Sequence, residues 1–285
     1  MKKKLIAAAM AILAMATTMS AKNNADNNLC QFRNMSVVKN MVYLDDQYVE
    51  DGDTMYISNT FEAFWPEVIN GKPCTGLQHA LLNGITGTES SEKVHAPYTR
   101  LDDRTIDEIL WPFEPSFINR SKVKAIDKLP ELPYGYTSND VKVKLKDLGK
   151  SLVTYEIYTY FYMYHAAHGI YGIWHITYDL DRDRAVALTD IVADTTMLRD
   201  AIKYGLKENN EIDWDELFLP ESNILPLPRD FYIEECCLHA VYQVYEIASY
   251  ARGMIDVPVY IYTQDSENIH RMFTPYGLEL LGYKE

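Results

Sequence analysis

The chain has 285 residues, a hydrophobic fraction of 47% and a formal charge of −14 at pH 7. This apolar and aromatic content is enough to form a packed core, which argues against a largely disordered chain. Because so acidic a surface repels phosphate backbones, the charge also argues against a nucleic-acid-binding protein.

The first residues carry the pattern of a secretory signal peptide. Lys2–Lys4 precede an apolar run from Leu5 to Ala16, which is shorter than the roughly 20 residues that span a bilayer. Small residues place cleavage after Ala16 or Ala21, and the later position leaves the longer apolar region. We therefore expect a signal peptide at residues 1–21 and a periplasmic or secreted protein with no transmembrane segment after cleavage. The alternative is a cytoplasmic protein with an apolar N-terminal helix.

Removal of the signal lysines takes the formal charge from −14 to −17, since residues 1–21 contain three lysines and no acid. Such a charge attracts cationic proteins. It also serves solubility, so it does not identify a partner by itself.

The four cysteines are Cys30, Cys74, Cys236 and Cys237. They allow three disulfide pairings, and the sequence does not choose among them. Because Cys236 and Cys237 are adjacent, their side chains point to opposite faces of a strand, which disfavours a bond between them. The spacing also lacks the paired cysteines, two to four residues apart, of a zinc site. We expect no metal.

The first third of the mature chain predicts strands followed by a helix. β-branched and aromatic residues favour strands over Phe32–Leu44 and Thr54–Phe64, with turn residues at Asp51–Asp53 and Asn70–Pro73. Apolar residues at helical spacing then predict a helix from Thr75 to about Gly84.

A short helix is predicted over Ile106–Leu110. The stretch 111–135 carries four prolines and is predicted to be irregular.

The strongest periodicity of the chain lies in Ser151–Tyr164, where side chains alternate between two faces. One face carries Thr154, Glu156, Tyr158, Tyr160, Tyr162 and Tyr164. The other face carries Val153, Tyr155, Ile157, Phe161 and Met163. We predict that this strand is the centre of a sheet, with the second set buried and Ile173–Leu180 as its hairpin partner.

The remaining elements complete a mixed fold. A turn at Asp181–Arg184 leads to a predicted strand at Ala185–Leu188, and an apolar helix face follows. The last strands are predicted at Phe231–Ile233, Leu238–Val244 and Met254–Tyr262. The pattern indicates an α+β protein, with helices packed on one face of an antiparallel sheet. We divide it into an N-terminal β-plus-helix domain at 30–135 and a C-terminal α+β domain at 136–285. Whether these are two structurally related sub-domains is left open by the sequence.

Motifs for catalysis are missing from the sequence. It contains neither a nucleophile elbow nor a phosphate-binding glycine loop nor a dinucleotide fingerprint. His165 and His168 are three residues apart, a spacing that suits a metal on a helix, but Gly169 and the preceding strand favour a turn. We therefore expect a protein that is not an enzyme and that uses no cofactor.

The tyrosine stripe at Tyr158, Tyr160, Tyr162 and Tyr164 has two interpretations. Tyrosine offers a flat face and a polar tip, which suit a sugar- or peptide-binding platform. Alternatively, the stripe packs under helices or lies half-exposed on a sheet.

Several stretches together resemble a bacterial domain-of-unknown-function family. Tyr164–Gly169, Tyr178–Leu180 and Leu188–Ile191 are similar to one segment of it, and Val244–Gly253 is similar to its Pro-Tyr-Glu-Ile-Ala-x-Tyr-Ala-x-Gly signature. Val257–Val259 resembles its closing strand. That family occurs in the extracellular region of lysozyme-sensing anti-sigma factors of the RsiV type and in the non-catalytic region of PdaC-type polysaccharide deacetylases.

The resemblance implies a free-standing, non-catalytic binding module of the cell envelope. Its ligand would be a cell-wall component or a cationic hydrolase such as lysozyme, and the alternative is an enzyme acting on cell-wall glycan or peptide. The candidate ligand-binding residues are Tyr158, Tyr160, Tyr162, Tyr164, His165, His168 and Tyr250. Within Tyr245–Gly253 we expect an architectural corner, in which Glu246 is paired if buried, Gly253 adopts a special backbone conformation and the Tyr250 hydroxyl binds backbone.

Overall fold

The computed structural model describes residues 29–44, 54–86, 100–111, 118–130, 135–208, 210–259 and 266–283. The predicted signal peptide and the predicted turn at Asp51–Asp53 lie outside these residues. The strands are β1 (Gln31–Tyr43), β2 (Met55–Ile69), β3 (Lys72–Pro73), β4 (Val123–Ala125), β5 (Gly135–Leu148), β6 (Leu152–Tyr162), β7 (Ile170–Asp179), β8 (Arg184–Ala185), β9 (Asp230–Glu234), β10 (Cys237–Tyr242) and β11 (Ile255–Val259). The helices are α1 (Thr75–Thr86), α2 (Asp103–Ile109), α3 (Leu188–Ile191), α4 (Thr195–Glu208), α5 (Ser266–Met272) and α6 (Pro275–Leu280).

A large sheet collects all strands up to residue 185. Its order is β4-β1-β2-β5-β6-β7-β8, and β3 pairs with β2 at the side. Neighbouring strands are antiparallel except β2 and β5, which run parallel. The predicted α+β class with a mainly antiparallel sheet is confirmed.

Strand β6 follows the predicted alternation and lies between β5 and β7 in the sheet. Val153, Tyr155 and Ile157 are fully buried on one face. Phe161 and Met163 are only half-buried, because they lie where the strand ends. The predicted hairpin partner is confirmed as β7, which pairs with β6 from residue 170 to residue 179.

One apolar core forms where α1 and α2 cover this face of the sheet. Leu77, Leu81 and Leu82 on α1 pack with β2, β5 and β6 side chains. The predicted helix from Thr75 is confirmed and runs two residues beyond Gly84.

A second core lies in the last hundred residues. The three-stranded sheet, in the order β11-β10-β9, is covered by α4, whose apolar face is buried at Leu198, Ile202 and Leu206. The first core is built from residues up to Tyr178 and the second from Val186 onwards. The predicted boundary between residues 135 and 136 falls at the start of β5, inside the large sheet, and the two cores part near residue 185.

The segment after β7 differs from the prediction of a strand at Ala185–Leu188. Strand β8 ends at Ala185, and α3 begins at Leu188. The Asp190 carboxylate accepts a hydrogen bond from the Ala187 backbone N–H at 2.9 Å, which satisfies a donor before the first helical turn. Among the described residues no helix is both long and apolar enough to cross a membrane.

Candidate functional site

The carbonyl of Gly169 organises the turn between β6 and β7. The Tyr250 hydroxyl donates to this oxygen at 2.8 Å, and the His168 Nδ1 atom lies 2.8 Å from it. A Cβ at residue 169 would approach the Tyr160 ring to 2.4 Å, so any other residue there requires the Tyr160 ring to move. His165 has a φ of 70°, which confirms the predicted turn at the two histidines.

The segment from Gln243 to Gly253 is tied to β7 by side-chain bonds to backbone. The Gln243 amide accepts from Ile173 N at 3.0 Å and donates to Ile173 O at 2.6 Å, in the manner of a strand neighbour. The Glu246 carboxylate accepts from Gln243 N at 2.8 Å. Burial raises the pKa of Glu246, although these backbone donors oppose the shift.

Gly253 has a φ of 72°, so the expected special backbone conformation is confirmed. A Cβ there would lie 3.1 Å from the Tyr171 hydroxyl, which itself accepts from Met254 N at 3.3 Å. The expected backbone bond of the Tyr250 hydroxyl is also confirmed. Both features that the sequence predicts for an architectural corner are therefore present, and the role itself stays a prediction.

Five rings meet where this corner touches the β6–β7 turn, and we call them the aromatic surface: Tyr158, His168, Tyr171, Tyr245 and Tyr250. The His168 and Tyr250 rings stack with centroids 4.3 Å apart. The Tyr245 ring lies 5.4 Å from Tyr250, and Tyr171 meets Tyr250 edge-on at 6.1 Å. Tyr158 stacks on Tyr171 at 6.4 Å. Offset and edge-on rings at these spacings favour one another beyond simple burial.

The predicted candidates separate into two groups. Tyr158, His168 and Tyr250 belong to the aromatic surface, and Tyr160 packs against Gly169 beside it. Tyr162 instead stacks with Tyr136 at 6.5 Å, while Tyr164 contacts His165 at 3.8 Å.

The sequence reasoning missed Tyr171 and Tyr245 as members of the surface. Tyr171 precedes the predicted start of the hairpin partner strand. Tyr245 stood inside the resemblance motif and was assigned only an architectural role. It has a φ of 66°, and 52% of the residue is exposed.

A half-buried carboxyl lies beside the tyrosines of β6. Asp140 pairs with Tyr160 across β5 and β6, and the Thr60 hydroxyl donates to its Oδ1 at 2.5 Å. Burial raises the pKa of Asp140. Burial, followed by the charge of Asp140, also raises the pKa of Tyr158 and of Tyr160, so both phenols stay protonated hydrogen-bond donors at neutral pH.

An exposed apolar side chain lies near the segment that carries Tyr245 and Tyr250. Phe218 is 54% exposed, and its backbone N–H donates to Ile247 O at 2.7 Å. Glu216 forms an ion pair with Arg252 between these elements. Within the described ranges no group of three or more His, Cys, Asp or Glu side chains is arranged to hold a metal ion.

The fold and this corner define an α+β protein in which a three-stranded sheet docks on a larger one. Residues 185–261 match the model of a family described as a protein of unknown function, DUF3298. This match covers the second core up to Val259 and the Tyr245–Gly253 segment. The resemblance to anti-sigma factors and deacetylases stays a prediction.

Two solved structures of DUF3298-family proteins are similar to the chain. The one from Bacteroides fragilis NCTC 9343 has 16% identity and a TM-score of 0.58, and the alignment covers 90% of this chain and 98% of that chain. The one from Pseudomonas aeruginosa PAO1 has 14% identity and a TM-score of 0.49, covering 86% and 95%. The first likeness shows the shared fold alone. No curated protein matches the chain.

Proposed function

We propose that the chain is an exported, non-catalytic binding module of the cell envelope, which captures a cationic protein such as a lysozyme-like hydrolase through its aromatic surface. The observation that carries this proposal is the exposure of Tyr245 over a stacked and hydrogen-bonded set of rings. The lysine-then-apolar pattern of residues 1–16 supports export.

The aromatic surface has the composition of a binding hot spot. Tyrosine is enriched in the residues that dominate interface energies, particularly beside apolar neighbours that exclude water. Here Phe218, bonded to Ile247 O, supplies such a neighbour. The bonds of Tyr250 to Gly169 and of Gln243 to Ile173 hold the surface in place before a partner arrives, which lowers the entropy cost of binding.

The charge of the chain suits a cationic partner. At −14, or −17 without the signal peptide, long-range attraction accelerates the encounter with a basic protein. This acceleration depends on ionic strength, because salt screens charges beyond about 8–10 Å.

A second ligand class, a cell-wall glycan, is favoured by one observation. The protonated Tyr158 and Tyr160 phenols and the half-buried Asp140 carboxyl offer donors and acceptors beside flat rings. Sugars present alternating hydroxyls and apolar faces, which match such a surface. The third alternative for the function is an enzyme that acts on cell-wall glycan or peptide.

Binding measurements separate these ligand classes. The purified chain is immobilised and exposed to lysozyme, to muropeptides and to an acidic protein of lysozyme's size. We expect lysozyme to bind with an association rate that falls at least tenfold between low and 0.5 M salt, and the acidic protein not to bind. If muropeptides bind and lysozyme does not, the ligand is a cell-wall glycan and the proposed cationic partner is wrong. Turnover of muropeptides would contradict the non-catalytic assignment.

Export has its own test. Mass spectrometry of the native protein should find an N-terminus near Thr17 or Lys22. An intact Met1 in a cytoplasmic fraction would contradict export while leaving the binding surface in place.

A further inference from the structure

Strand β1 is an edge strand for most of its length. It pairs with β2 over all 13 of its residues, whereas β4 pairs with its other side only at Met41–Tyr43. Long edges in natural proteins are commonly interrupted by a proline or a bulge, which prevents further pairing. Neither device interrupts β1 between Phe32 and Lys39, where its register with β2 is continuous. This stretch therefore keeps a regular edge.

The hydrogen-bonding groups of this edge follow from the pairing with β4. The Asn40 carbonyl accepts from Ile126 N at 2.9 Å just beyond β4, so Asn40 faces away from β2. In an antiparallel ladder, the N–H and C=O of one residue point to the same side, and successive residues alternate. The backbone groups of three further residues therefore also face away from β2, and we call these residues the open edge: Asn34, Ser36 and Val38. Among the described residues no backbone group pairs with them on that side, and their side chains are exposed.

A pocket lies where β4 ends and the open edge begins. Its volume of about 490 Å³ falls within the roughly 300–1,000 Å³ of pockets that hold small ligands, so it admits one large side chain. Its walls are mainly apolar and come from β1, from β4 and from the residues that follow β4 and α2: Val38, Met41, Leu110, Trp111, Val123, Ala125 and Ile126.

The charged groups of the pocket are neutralised within the chain. Lys39 forms an ion pair with Asp107. Arg120 forms an ion pair with Glu108, and its guanidinium lies 4.9 Å from the centroid of the Trp111 ring. Two asparagines supply the remaining polar lining. Because its charges are already paired and its walls are apolar, the pocket favours an apolar side chain over a charged one.

The open edge determines which kind of molecule can cover it. Its donors and acceptors repeat at every second residue of a strand, and an extended backbone carries the matching groups at the same spacing. Peptides that add to a sheet edge gain affinity from these backbone bonds and specificity from pockets for alternate side chains. The open edge and the pocket beside it provide both.

A second copy of the chain is a poor occupant of this edge. Antiparallel pairing of two β1 strands about Ser36 would bring Arg33 of each chain opposite Lys39 of the other, and like charges directly opposite destabilise a strand pair. Two chains with a formal charge of −14 also repel one another. These charges favour a different molecule as the added strand.

We propose that the open edge of β1 binds an extended peptide segment of a partner protein as an added strand, with one large apolar side chain of that segment in the pocket. The added strand continues the line of β4 along β1. The site lies away from the aromatic surface, since β2, β5 and β6 separate β1 from β7 in the sheet. It is therefore independent of the proposed function.

Binding of a model peptide tests the added strand. The probe for the full chain is a blocked seven-residue peptide in which threonine alternates with valine, tryptophan and valine, so that tryptophan is central. In an added strand with tryptophan in the pocket, the threonine amides face β1 and the valine amides face solvent. The same alternation is seen at β4, where Ile126 directs its N–H to β1 and its neighbour Ala125 pairs with Met41 without facing it.

Two methylated forms of this peptide are matched controls, because they have the same composition. We expect methylation of the two threonine amides beside tryptophan to weaken binding at least tenfold in calorimetry. Methylation of the two valine amides should leave binding unchanged. Equal binding of the two methylated forms, or no binding of the parent peptide at about 1 mM, would overturn the proposal.

The pocket is tested by a matched pair of substitutions on β4. Ala125→Trp fills the pocket, whereas Lys124→Trp places the same ring on the opposite face of the strand. Both residues are exposed, so neither change disturbs a core. We expect Ala125→Trp to weaken binding of the parent peptide at least tenfold and Lys124→Trp to leave it unchanged. Equal affinities of the two variants would refute the role of the pocket.

Amide hydrogen exchange shows whether the edge is free. In the chain alone, the open-edge amides should exchange faster than those of Met35 and Val37, which face β2. The peptide should slow exchange at the open edge and leave Met35 and Val37 as they are. Open-edge amides that are already slow in the chain alone would overturn the proposal, because another part of the chain or a second copy would then cover the edge.

Discussion

The two faces of strand β6 are covered in different ways. On one face Val153, Tyr155 and Ile157 pack into an apolar core beneath α1 and α2. On the other face the contact with β9 is polar, since the Thr154 hydroxyl donates to Ile233 O at 2.9 Å. Apolar contacts supply stability without direction, whereas hydrogen bonds fix distance and register.

The polar side continues along β7. His175 N donates to Asp230 Oδ1 at 3.0 Å, the His175 ring lies 2.7 Å from Oδ2, and Gln243 binds Ile173 further along the strand. These bonds determine where the three-stranded sheet docks, and hence where Tyr245 and Tyr250 meet His168. The comparison teaches that the helix-covered face stabilises the fold, while the polar face positions the candidate site.

The largest expected effect is the loss of stability from a truncation on the apolar face. Ile157 is fully buried, so Ile157→Ala should cost about 2–5 kcal/mol in the free energy of unfolding. Ile170→Ala is the matched control, because Ile170 is half-exposed and its loss should cost less than about 1 kcal/mol. Ile170 pairs with Phe161 and lies at the exposed end of the same face as Ile157. Urea denaturation of both variants measures the difference, and equal losses would show that burial beneath α1 and α2 does not supply the stability of this face.

The free energy of unfolding should depend on pH through His239, which lies in the three-stranded sheet that docks on the polar face. Its pKa is raised from 6.5 to about 9, so its contribution to stability is complete below about pH 6.5 and is lost as the pH rises through 9. The contribution should amount to about 2–3 kcal/mol at low pH. The stability difference between the wild type and His239→Gln, followed from pH 6 to pH 10, measures it. A difference that stays constant over this range would contradict the raised pKa.

The smallest expected effect is on stability, where removing the hydroxyl should stabilise the protein at one buried tyrosine and destabilise it at another. The Tyr155 hydroxyl is buried and has no hydrogen-bond partner among the residues that the structure describes, so Tyr155→Phe should stabilise the protein by about 1 kcal/mol. The Tyr242 hydroxyl donates to Pro226 O at 2.9 Å, and Tyr242→Phe should destabilise it by about 1 kcal/mol. Thermal unfolding of the two variants should shift in opposite directions, and a shared direction would refute the assignment of the two hydroxyls.

Periodicity predicted the elements whose side chains alternate strongly. The alternation of Ser151–Tyr164 predicted β6 and its buried face, and the helical spacing after Thr75 predicted α1. Local patterns do not encode which distant strands pair. The parallel contact of β2 with β5 joins residues about 80 positions apart, so a boundary placed by composition near residue 136 fell inside a sheet.

The candidate site was only partly predictable for the same reason. His168 and Tyr250 are 82 positions apart, and only the resemblance to a known family suggested both. Tyr245 was missed because it adopts a positive φ, which a residue other than glycine seldom does and which no local sequence pattern indicates. Tyr162 and Tyr164 continued the stripe in sequence, but they lie where β6 ends and contact Tyr136 and His165 instead.

The central claim is that the aromatic surface binds a cationic protein, and a matched pair of tyrosines tests it most directly. Tyr245 and Tyr204 are 52% and 48% exposed, but Tyr204 lies on α4. Lysozyme affinity is measured for the wild type, Tyr245→Ala and Tyr204→Ala, with folding checked by circular dichroism. We expect Tyr245→Ala to weaken binding at least tenfold, as for a hot-spot tyrosine, and Tyr204→Ala to leave it unchanged. Equal affinities for Tyr245→Ala and the wild type would contradict the claim.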